Sequence, residues 1–425
     1  MLRRALHLSR MLRAERRKPE GLQIDQNEAL RELVRHASLH VPFYRELYAR
    51  HGVDVDAFRG LEDLSRLPIV DKRSLRAAGE HVLAEDRPPQ LVPILTSGST
   101  GEPYQFCIDR QHDQWRKAQY LRPYLSNGRG LHHKVLRLTA FPSSRRPWFS
   151  SLGMLREWQL DCAAEPQRIL ARWRELRPSV LQGYPSSLLA FAHHCLEQGA
   201  RLDPAPRLVF TDSEMLRSDV RSVLERAFGT APIDIFGTYE TDNIAYQCAE
   251  RGGYHVALDS VVLEIVRDGQ AVPAGEEGEL VATVLTNHTH PFIRYRLGDI
   301  GRFATTGCRC GRTFPLLEVI NGRADDMIEL ADGTRRTPLS VLGRLDGFAP
   351  LVRHYQLHQL AVDRFELWIV PSPDYTPEVA GQILRALEDP LQHAAITLRV
   401  VDAAPRDPSG KLRSFICAMK ARTRA

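Results

Sequence analysis

The alternation of apolar and polar positions predicts helices first and then strands that alternate with helices. Residues 24–50 carry a helical pattern whose apolar face holds Leu30, Leu33, Val34 and Ala37. From about residue 90 the chain changes to short apolar runs separated by amphipathic windows. The predicted strands lie at 135–138, 180–181, 207–210 and 233–236, and the predicted helices at 110–125, 166–176, 186–198 and 218–228. Strands that alternate with helices are typical of parallel sheets, so this region is predicted to be α/β.

Two later changes in the pattern of apolar and polar residues predict how the rest of the chain divides into domains. After about residue 255, alternating strands at 261–266 and 280–285 indicate a small antiparallel β subdomain, 255–320. Beyond residue 321, strands at 355–360, 364–370 and 396–401 accompany a helix at 377–387. We therefore predict a large N-terminal α/β domain with parallel sheets, 1–320, which begins with a helical segment, 1–85. A smaller, mobile α+β C-terminal domain, 321–425, would follow it.

Composition and charge narrow the class of protein. The 425 residues are 43% hydrophobic and 26% charged, as in soluble globular proteins. A chain of this length is too long for a single hydrophobic core of ordinary size. The net charge of +5 is mild and no basic stripe with aromatics occurs, so we expect no nucleic-acid partner. No apolar run approaches the roughly 18 residues of a membrane span, and the basic N-terminus lacks the apolar stretch of a secretory signal. We expect a cytoplasmic protein, with a homodimer as one oligomeric state open to it.

The basic first 19 residues allow two interpretations. They could form a helix that lies on an anionic membrane, or a frayed and solvated helix. We favour the frayed helix.

A run of small residues offers a candidate phosphate site. Thr96, Ser97, Gly98, Ser99, Thr100 and Gly101 follow an apolar run and combine many backbone N–H groups with hydroxyls. Such a loop can wrap closely around phosphate oxygens. Its glycine spacing is too short for the P-loop of NTPases, and Glu102 stands where a lysine would be sought. A solvated flexible turn is the alternative interpretation.

Charged side chains in three other segments suit a nucleotide. Glu240, after a predicted strand, could hold Mg²⁺ between phosphate oxygens, although a plain turn is equally consistent with the pattern. Asp299, beside Gly298, is suited to accept both hydroxyls of a ribose. Lys411 is one of only six lysines, and its compact ammonium could meet a developing negative charge, although exposed lysines are usually just solvated.

The order of these segments resembles a known superfamily. The motifs lie at 96–103, 236–240, 295–299, 322–325 and 410–411. They resemble the core motifs of the adenylate-forming superfamily, which includes acyl-CoA synthetases and nonribosomal peptide adenylation domains. Segments at 40–45, 67–69, 182–186 and 211–216 are similar to its phenylacetate-CoA ligase branch, including CapK-like members.

The resemblance implies a reaction and a role for each matching position. The reaction would be activation of a carboxylic acid by ATP and Mg²⁺ to an acyl-adenylate, followed by transfer to coenzyme A. Thr96 to Gly101 would hold the ATP phosphates, and Lys411 would be the adenylation lysine. The remaining implied assignments are Ser213, Glu214, Asp234, Phe236 and Gly237 at adenine, Thr238 and Glu240 at phosphate and Mg²⁺, Asp299 at the ribose, Arg323 at the ribose or phosphate, and Asp325 as hinge.

The acid and the final acceptor stay open at this level. Phe141, Tyr184, Phe210 and Tyr239 could line a pocket for an aromatic or arylacetic acid, or could be core packing. The acyl group could also pass to the phosphopantetheine thiol of a carrier protein, or to an amine. A non-catalytic nucleotide-binding protein is a third alternative.

Four of the metal-ligating side chains suggest a zinc site. The sequence has seven scattered cysteines, which argues against a disulfide framework in a chain of this size. Cys308 and Cys310 resemble a short metal knuckle, and Cys248 with His255 could complete a tetrahedral Cys₃His site. Similar positions occur in members of the branch. We expect structural zinc, with buried free thiols as the alternative.

Overall fold

The computed structural model describes residues 2–96, 104–144, 147–321, 327–348, 350–407 and 410–419. The helices are α1 (Leu2–Ala14), α2 (Pro19–His40), α3 (Pro42–Arg50), α4 (Lys72–Ala78), α5 (Arg110–Ser126), α6 (Pro166–Leu176), α7 (Pro185–Glu197), α8 (Ser218–Phe228), α9 (Pro338–Leu342) and α10 (Pro377–Glu388). Short 3₁₀ helices lie at Leu61–Arg66, Gly79–Val82, Trp148–Ser150 and Gly343–Phe348.

The strands follow the alternation read from the sequence. They are β1 (Val92–Leu95), β2 (Gln105–Ile108), β3 (Val135–Thr139), β4 (Glu157–Asp161), β5 (Val180–Gly183), β6 (Leu208–Asp212), β7 (Ile233–Thr238), β8 (Asp242–Tyr246), β9 (Tyr254–Val256), β10 (Val261–Arg267), β11 (Gln270–Ala271), β12 (Gly278–Val284), β13 (Tyr295–Phe303), β14 (Leu316–Asn321), β15 (Ile328–Glu329), β16 (Arg335–Arg336), β17 (Val352–Ala361), β18 (Arg364–Pro371), β19 (Ala395–Val400) and β20 (Phe415–Cys417).

The chain divides into two compact units, which are described separately. The first unit comprises residues 1–128 and 235–320, and the second comprises 129–234 and 321–425. Strand β7 passes from the second unit into the first after Asp234. The predicted division at residue 320 stays a prediction.

The first unit combines helices with antiparallel strands. Its sheet has the order β11-β10-β12-β13-β14-β9-β8-β7, in which β10–β12, β12–β13 and β7–β8 are antiparallel pairs. Strands β1 and β2 form a separate antiparallel hairpin. The main core joins Leu33 and Tyr44 of the helices to Phe106 of β2 and Phe292. Within the larger sheet, antiparallel pairing begins at β8, because the tight turn after β7 reverses the chain.

The N-terminal helix is packed, so the interpretation as a frayed, solvated helix is wrong. Met11 and Ala14 of α1 are buried, and α1 packs against α5. Glu15, just after the helix, accepts hydrogen bonds from Arg122, Ser126, Tyr246 and Arg312. The basic sequence of α1 gives no sign of this packing. One buried acid just after the helix, Glu15, fixes the position of α1.

The described part of the second unit contains two four-stranded sheets with separate cores and the two-stranded sheet β15-β16. Strands β6-β5-β3-β4 are parallel neighbours, with Leu181 of β5 opposite Val209 of β6. Helices α6, α7 and α8 pack against this sheet around the buried Trp173. The described residues after 326 form the sheet β19-β18-β17-β20, whose core includes Leu357 and Leu367 and is covered by α10.

The α/β class is confirmed. Helices α6 and α8 have the predicted bounds, because their apolar residues recur at helical spacing and buried strands flank them. Within the described part of the chain, no helix combines the length and the apolarity needed to cross a bilayer.

Candidate active site

The turn after β7 holds two of the predicted residues. Gly237 lies so close to the next strand that an added Cβ would come within 1.8 Å of the Asp242 carbonyl oxygen, so only glycine fits. Beyond it, the hydroxyls of Thr238 and Thr241 lie 3.0 Å apart, and the amide of Thr241 donates to Thr238 Oγ1. These bonds fix the conformation of the turn that carries Glu240.

Glu240 is a buried carboxylate with two partners. Its side chain is only 4% exposed, and its Oε1 lies 2.9 Å from Lys72 Nζ. The hydroxyl of Tyr295 donates to the same oxygen over 3.1 Å. Burial, with the nearby Glu240 charge, raises the pKa of Tyr295, so the phenol stays protonated and donates. The carboxylate is therefore buried between an ammonium and a phenol.

Local sequence explains why Lys72 reaches Glu240. Asp71 caps α4 in a reciprocal capping box with Ser74, so α4 begins at Lys72. One residue earlier, Val70 donates to the Arg294 carbonyl and accepts from the Arg296 amide, at 3.0 and 2.9 Å. This bridge ties the start of α4 to β13, the strand that carries Tyr295.

The candidate phosphate loop is described only at its first residue. Thr96 is buried, its amide donates to the Tyr104 carbonyl, and its hydroxyl accepts from the Tyr104 amide. These bonds close the base of the β1–β2 hairpin, which replaces the strand and helix of an NTPase P-loop. Ser97, Gly98, Ser99, Thr100 and Gly101 lie outside the described residues.

Three further predicted residues belong to the first unit and to the domain junction. Asp299 lies in β13, partly exposed, directly after Gly298, whose φ of +85° favours glycine. Arg323 and Asp325 lie outside the described residues. Their roles stay predictions, as does the ribose contact of Asp299.

In the second unit, the end of β6 carries a strained turn. Ser213 has a φ of +69°, which is uncommon for a residue with a side chain. Its hydroxyl donates to Asp212, whose other oxygen accepts from Gln182 of β5. Asp234 of β7 is buried and accepts from Thr211. The bonds of Asp212 order the carboxyl ends of β5 and β6, the edge at which α/β folds bind ligands.

Glu214, just after β6, contacts Leu412, the residue that follows Lys411. The Glu214 carboxylate accepts from the amide and hydroxyl of Ser186, each over 2.9 Å, and from the Leu412 amide, also over 2.9 Å. Burial raises the pKa of Glu214 above its ordinary value, and the hydrogen bonds from Ser186 and Leu412 oppose that shift. The structure therefore places Glu214 beside Leu412, and Lys411 is the residue before Leu412.

The four aromatic residues have different environments. Phe210 is fully buried and Tyr184 is 6% exposed, whereas Phe141 and Tyr239 are 68% and 40% exposed. Tyr239 belongs to the first unit and the other three to the second. Their common role in an acid pocket stays a prediction.

The predicted zinc ligands are brought together in the first unit. Cys248 follows β8, His255 lies in β9, and Cys308 and Cys310 lie between β13 and β14. Pairing of β9 with β14 places His255 opposite Leu316. The four ligand atoms all lie within 4.8 Å of one another, with 3.5 Å between the sulfurs of Cys248 and Cys308. Ligands of tetrahedral zinc thiolates lie at similar separations, about 3.8 Å.

The pKa shifts of His255 and Cys310 suit a metal, whereas burial raises the pKa of Cys308 to about 12. The Phe314 carbonyl can only accept, so Nδ1 of His255 donates to it and Nε2 presents its lone pair toward Cys310, 3.3 Å away. Burial lowers the pKa of His255 to about 4, which keeps the imidazole neutral. Burial raises the pKa of Cys310, but hydrogen bonds from Arg312 outweigh it and leave that pKa below its ordinary value.

Sequence reasoning missed several residues of these sites. The ion pair of Lys72 with Glu240 was not predicted. Tyr295, Ser186 and Arg312 were likewise not assigned. The Asp71 cap is a local signal in the sequence for where α4 begins, but it does not indicate what Lys72 contacts.

Comparisons with known proteins agree with this picture. The chain is 28% identical to phenylacetate-coenzyme A ligase of Thermus thermophilus, covering 93% of this chain and 96% of the relative. It is 28% identical to phenylacetate-coenzyme A ligase of Escherichia coli over 80% of this chain and 79% of that one. A crystal structure of 2-hydroxyisobutyryl-CoA ligase with 2-HIB-AMP in the postadenylation state matches with a TM-score of 0.79 at 21% identity, covering 97% of this chain and 93% of that one. No protein-family model matches the chain. The resemblance to the adenylate-forming superfamily and its phenylacetate-CoA ligase branch is confirmed.

Proposed function

We propose that this chain, similar over nearly its whole length to phenylacetate-coenzyme A ligases, is an acid–CoA ligase. It activates a carboxylic acid with ATP to an acyl-adenylate and then forms a thioester with coenzyme A. The observation that carries the proposal is the match over 93% of this chain and 96% of the Thermus thermophilus relative. Coverage of that extent takes in nearly the whole chain, whereas a shared nucleotide-binding segment would align over a part only.

The first half-reaction depends on charge more than on acid–base chemistry. A carboxylate oxygen of the acid attacks the α-phosphorus of ATP, the bond to the β-phosphate oxygen breaks, and pyrophosphate leaves. Because an anion approaches a polyanion, catalysis needs positioning and cations. Lys411 supplies a compact cation for this step.

The second half-reaction exchanges the acyl carrier. The thiolate sulfur of coenzyme A attacks the acyl carbon, the bond from that carbon to the AMP oxygen breaks, and AMP leaves. We propose an aromatic or arylacetic acid, which the names of the curated relatives support. A carrier-protein thiol or an amine is the alternative acceptor.

Two metals fit the residues present. Glu240, with Thr238 in the same turn, offers the hard oxygen ligands that Mg²⁺ prefers, and the ion would neutralise phosphate charge. The Cys248, His255, Cys308 and Cys310 cluster has the donor set of a closed structural zinc site, which would crosslink strands without taking part in the reaction. Since ATP and coenzyme A are cytoplasmic metabolites, we place the enzyme in the cytoplasm.

The decisive experiment measures pyrophosphate release with aryl, arylacetic, fatty and amino acids, with and without coenzyme A. We expect release with one acid class, and an acyl-CoA product only when coenzyme A is present. Pyrophosphate release that does not depend on coenzyme A, with no thioester formed, favours transfer of the acyl group to a carrier protein or an amine. Failure of every acid to release pyrophosphate contradicts the ligase proposal.

A further inference from the structure

We propose that Glu214 is a positioning residue for Lys411: with Ser186 it forms a seat that receives the loop carrying the lysine. The inference rests on the proposed function, since it assigns Glu214 to the adenylation step. The resemblance by itself implied only an adenine contact for Glu214.

The loop is ordered at its two described ends. Arg406 and Leu412 form an isolated antiparallel bridge. The Lys411 amide donates to the Asp407 carboxylate over 3.0 Å, and the Asp407 amide donates to the Lys411 carbonyl over 2.9 Å. Fixing the loop at any point therefore fixes the Lys411 backbone.

The seat holds the loop one residue beyond the lysine. Oε1 of Glu214 accepts from the Leu412 amide and from the Ser186 hydroxyl, and Oε2 accepts from the Ser186 amide. Ser186 lies in the first turn of α7, where backbone amides favour a negative charge. Adjacent Cα atoms are about 3.8 Å apart, so a bond at Leu412 restrains the position of Lys411 closely.

A second set of contacts holds the loop from the other side of the lysine. Gly410 has a φ of +78°, and a Cβ there would lie 2.7 Å from Cys162 Sγ and 3.1 Å from Ala140 Cβ. Arg406 Nη1 donates to the Gly410 carbonyl over 2.7 Å and to Ser186 Oγ over 3.1 Å. The hydroxyl of Ser186 thus joins Glu214 to Arg406, and the loop meets the seat on both sides of Lys411.

Glu214 accepts hydrogen bonds from three donors, and only a carboxylate offers acceptors at both oxygens. A carboxylate accepts at both oxygens, whereas a glutamine has one acceptor and turns an NH₂ group toward another donor. In Glu214→Gln, the new side-chain NH₂ group therefore faces an N–H or O–H donor of Ser186 or Leu412. Two donors cannot bond to each other, so the loop is held less firmly. Displacement of a catalytic group by about 1 Å can cost about 10²-fold in rate.

The first test compares half-reactions for Glu214→Gln, with Glu225→Gln on the exposed face of α8 as the matched control. We expect adenylation by Glu214→Gln to slow by about 10- to 100-fold, with ATP affinity essentially retained. Thioester formation from synthetic acyl-adenylate and coenzyme A should stay at the wild-type rate. A fall in ATP affinity that accounts for the whole loss of rate would overturn the positioning role in favour of an adenine contact.

A double-mutant cycle tests whether Glu214 acts through the lysine. In a Lys411→Ala background, Glu214→Gln should cost little more, because the group it positions is already gone. Additive losses contradict the proposal. Ser186→Ala, which removes one donor from Glu214 and one acceptor from Arg406, should give the same pattern in milder form.

The second readout needs no turnover. Hydrogen–deuterium exchange should be slow at the Leu412 amide in the wild type and faster in Glu214→Gln, with no change in Glu225→Gln. Equal protection in wild type and Glu214→Gln would refute the seat. If wild-type protein adenylates no acid, the ligase proposal fails, while exchange at Leu412 still decides whether the seat exists.

Discussion

At the scale of single residues, the pairing of Lys72 with Glu240 sets the electrostatics of the β7 turn. The carboxylate is almost fully buried, and it contacts one ammonium and one phenol. Removing one partner of a buried charge leaves the other unpaired, which is more costly than never having had the pair. Lys72 therefore stabilises Glu240 in the absence of ligand.

Lys72→Met should destabilise the ligand-free protein by about 1–3 kcal/mol, because the buried Glu240 carboxylate would lose its ammonium partner. Thermal unfolding without Mg²⁺ and ATP measures the loss, with Arg73→Met, an exposed neighbour on α4, as control. Mg²⁺ and ATP should restore part of the loss, since they supply a new cation. Equal unfolding temperatures for Lys72→Met and wild type would contradict the pairing.

Lys411→Ala should slow adenylation by about 10²- to 10³-fold, because one preorganised charge contact is lost at the reacting phosphate. ATP binding should remain nearly intact. Pyrophosphate release and calorimetric titration with ATP separate the two effects. Lys117→Ala, at an exposed lysine paired with Asp113 on α5, is the matched control. Unchanged adenylation would show that Lys411 is not the adenylation lysine.

At the scale of elements, two clusters fix segments that hydrogen-bonded pairing alone would not hold. The Cys/His cluster ties the turn between β13 and β14 to β9 and to the end of β8. The Glu15 network ties the end of α1 to α5 and to Arg312. Arg312 also donates to Cys310, so the two clusters share one guanidinium.

Zinc analysis of the purified protein should find about one zinc per chain, and Cys310→Ser should lower that content. Because zinc sites contribute directly to folding, chelation should also lower the unfolding temperature. Elemental analysis and thermal unfolding measure both effects. Cys107→Ser, at a cysteine of β2 outside the cluster, should change neither. A zinc content near zero in a well-folded protein would leave free thiols as the correct interpretation.

Glu15→Gln should destabilise the protein by about 3–5 kcal/mol, because Arg122 would lose a buried partner. Urea unfolding measures the loss, with the exposed Glu20→Gln as control. A loss no larger than that of Glu20→Gln would show that the network contributes nothing.

The same carboxyl predicts a pH dependence. Burial raises the pKa of Glu15, but Arg122 and the hydrogen bonds outweigh it, so the folded-state pKa lies below its ordinary value of 4.5. Its stabilisation is therefore complete above pH 4.5 and is lost as pH falls through the folded-state pKa. The stability difference between wild type and Glu15→Gln should shrink below pH 4.5. A difference that stays constant with pH would contradict this assignment.

At the scale of the whole molecule, the proposed reaction needs an acid, a nucleotide and a second acceptor in turn. An acyl-sulfamoyl adenosine mimics the adenylate and cannot react. It should raise the unfolding temperature more than ATP alone, because it contacts both the acid and nucleotide subsites.

A series of these analogues reports the acid class without turnover. Phenylacetyl and benzoyl analogues should stabilise the protein more than long-chain acyl analogues. Thermal unfolding at matched concentrations measures the order, with sulfamoyl adenosine lacking an acyl group as the control. A larger shift with the long-chain analogue would contradict an aromatic or arylacetic acid.

The sequence by itself determined the local elements and the order of the chemistry. Helices α6 and α8 were predicted to the residue, because their apolar spacing and flanking turns are local properties. The five ordered motifs indicated the superfamily, and spacing suggested the four zinc ligands. Gly237 and Gly410 were visible as motif glycines, and the structure supplies the close approaches that require them.

Only the tertiary structure decided which distant side chains meet. Lys72 pairs with Glu240 across 168 positions because a strand bridge at Val70 holds α4 against β13. Leu412 reaches Glu214 although 198 positions separate them, and Glu15 reaches Arg312 across 297. Hydrophobic periodicity carries no information on such pairs, because it records which face of an element is buried and not what packs against it. The buried carboxylates of this protein acquire their roles from those distant partners.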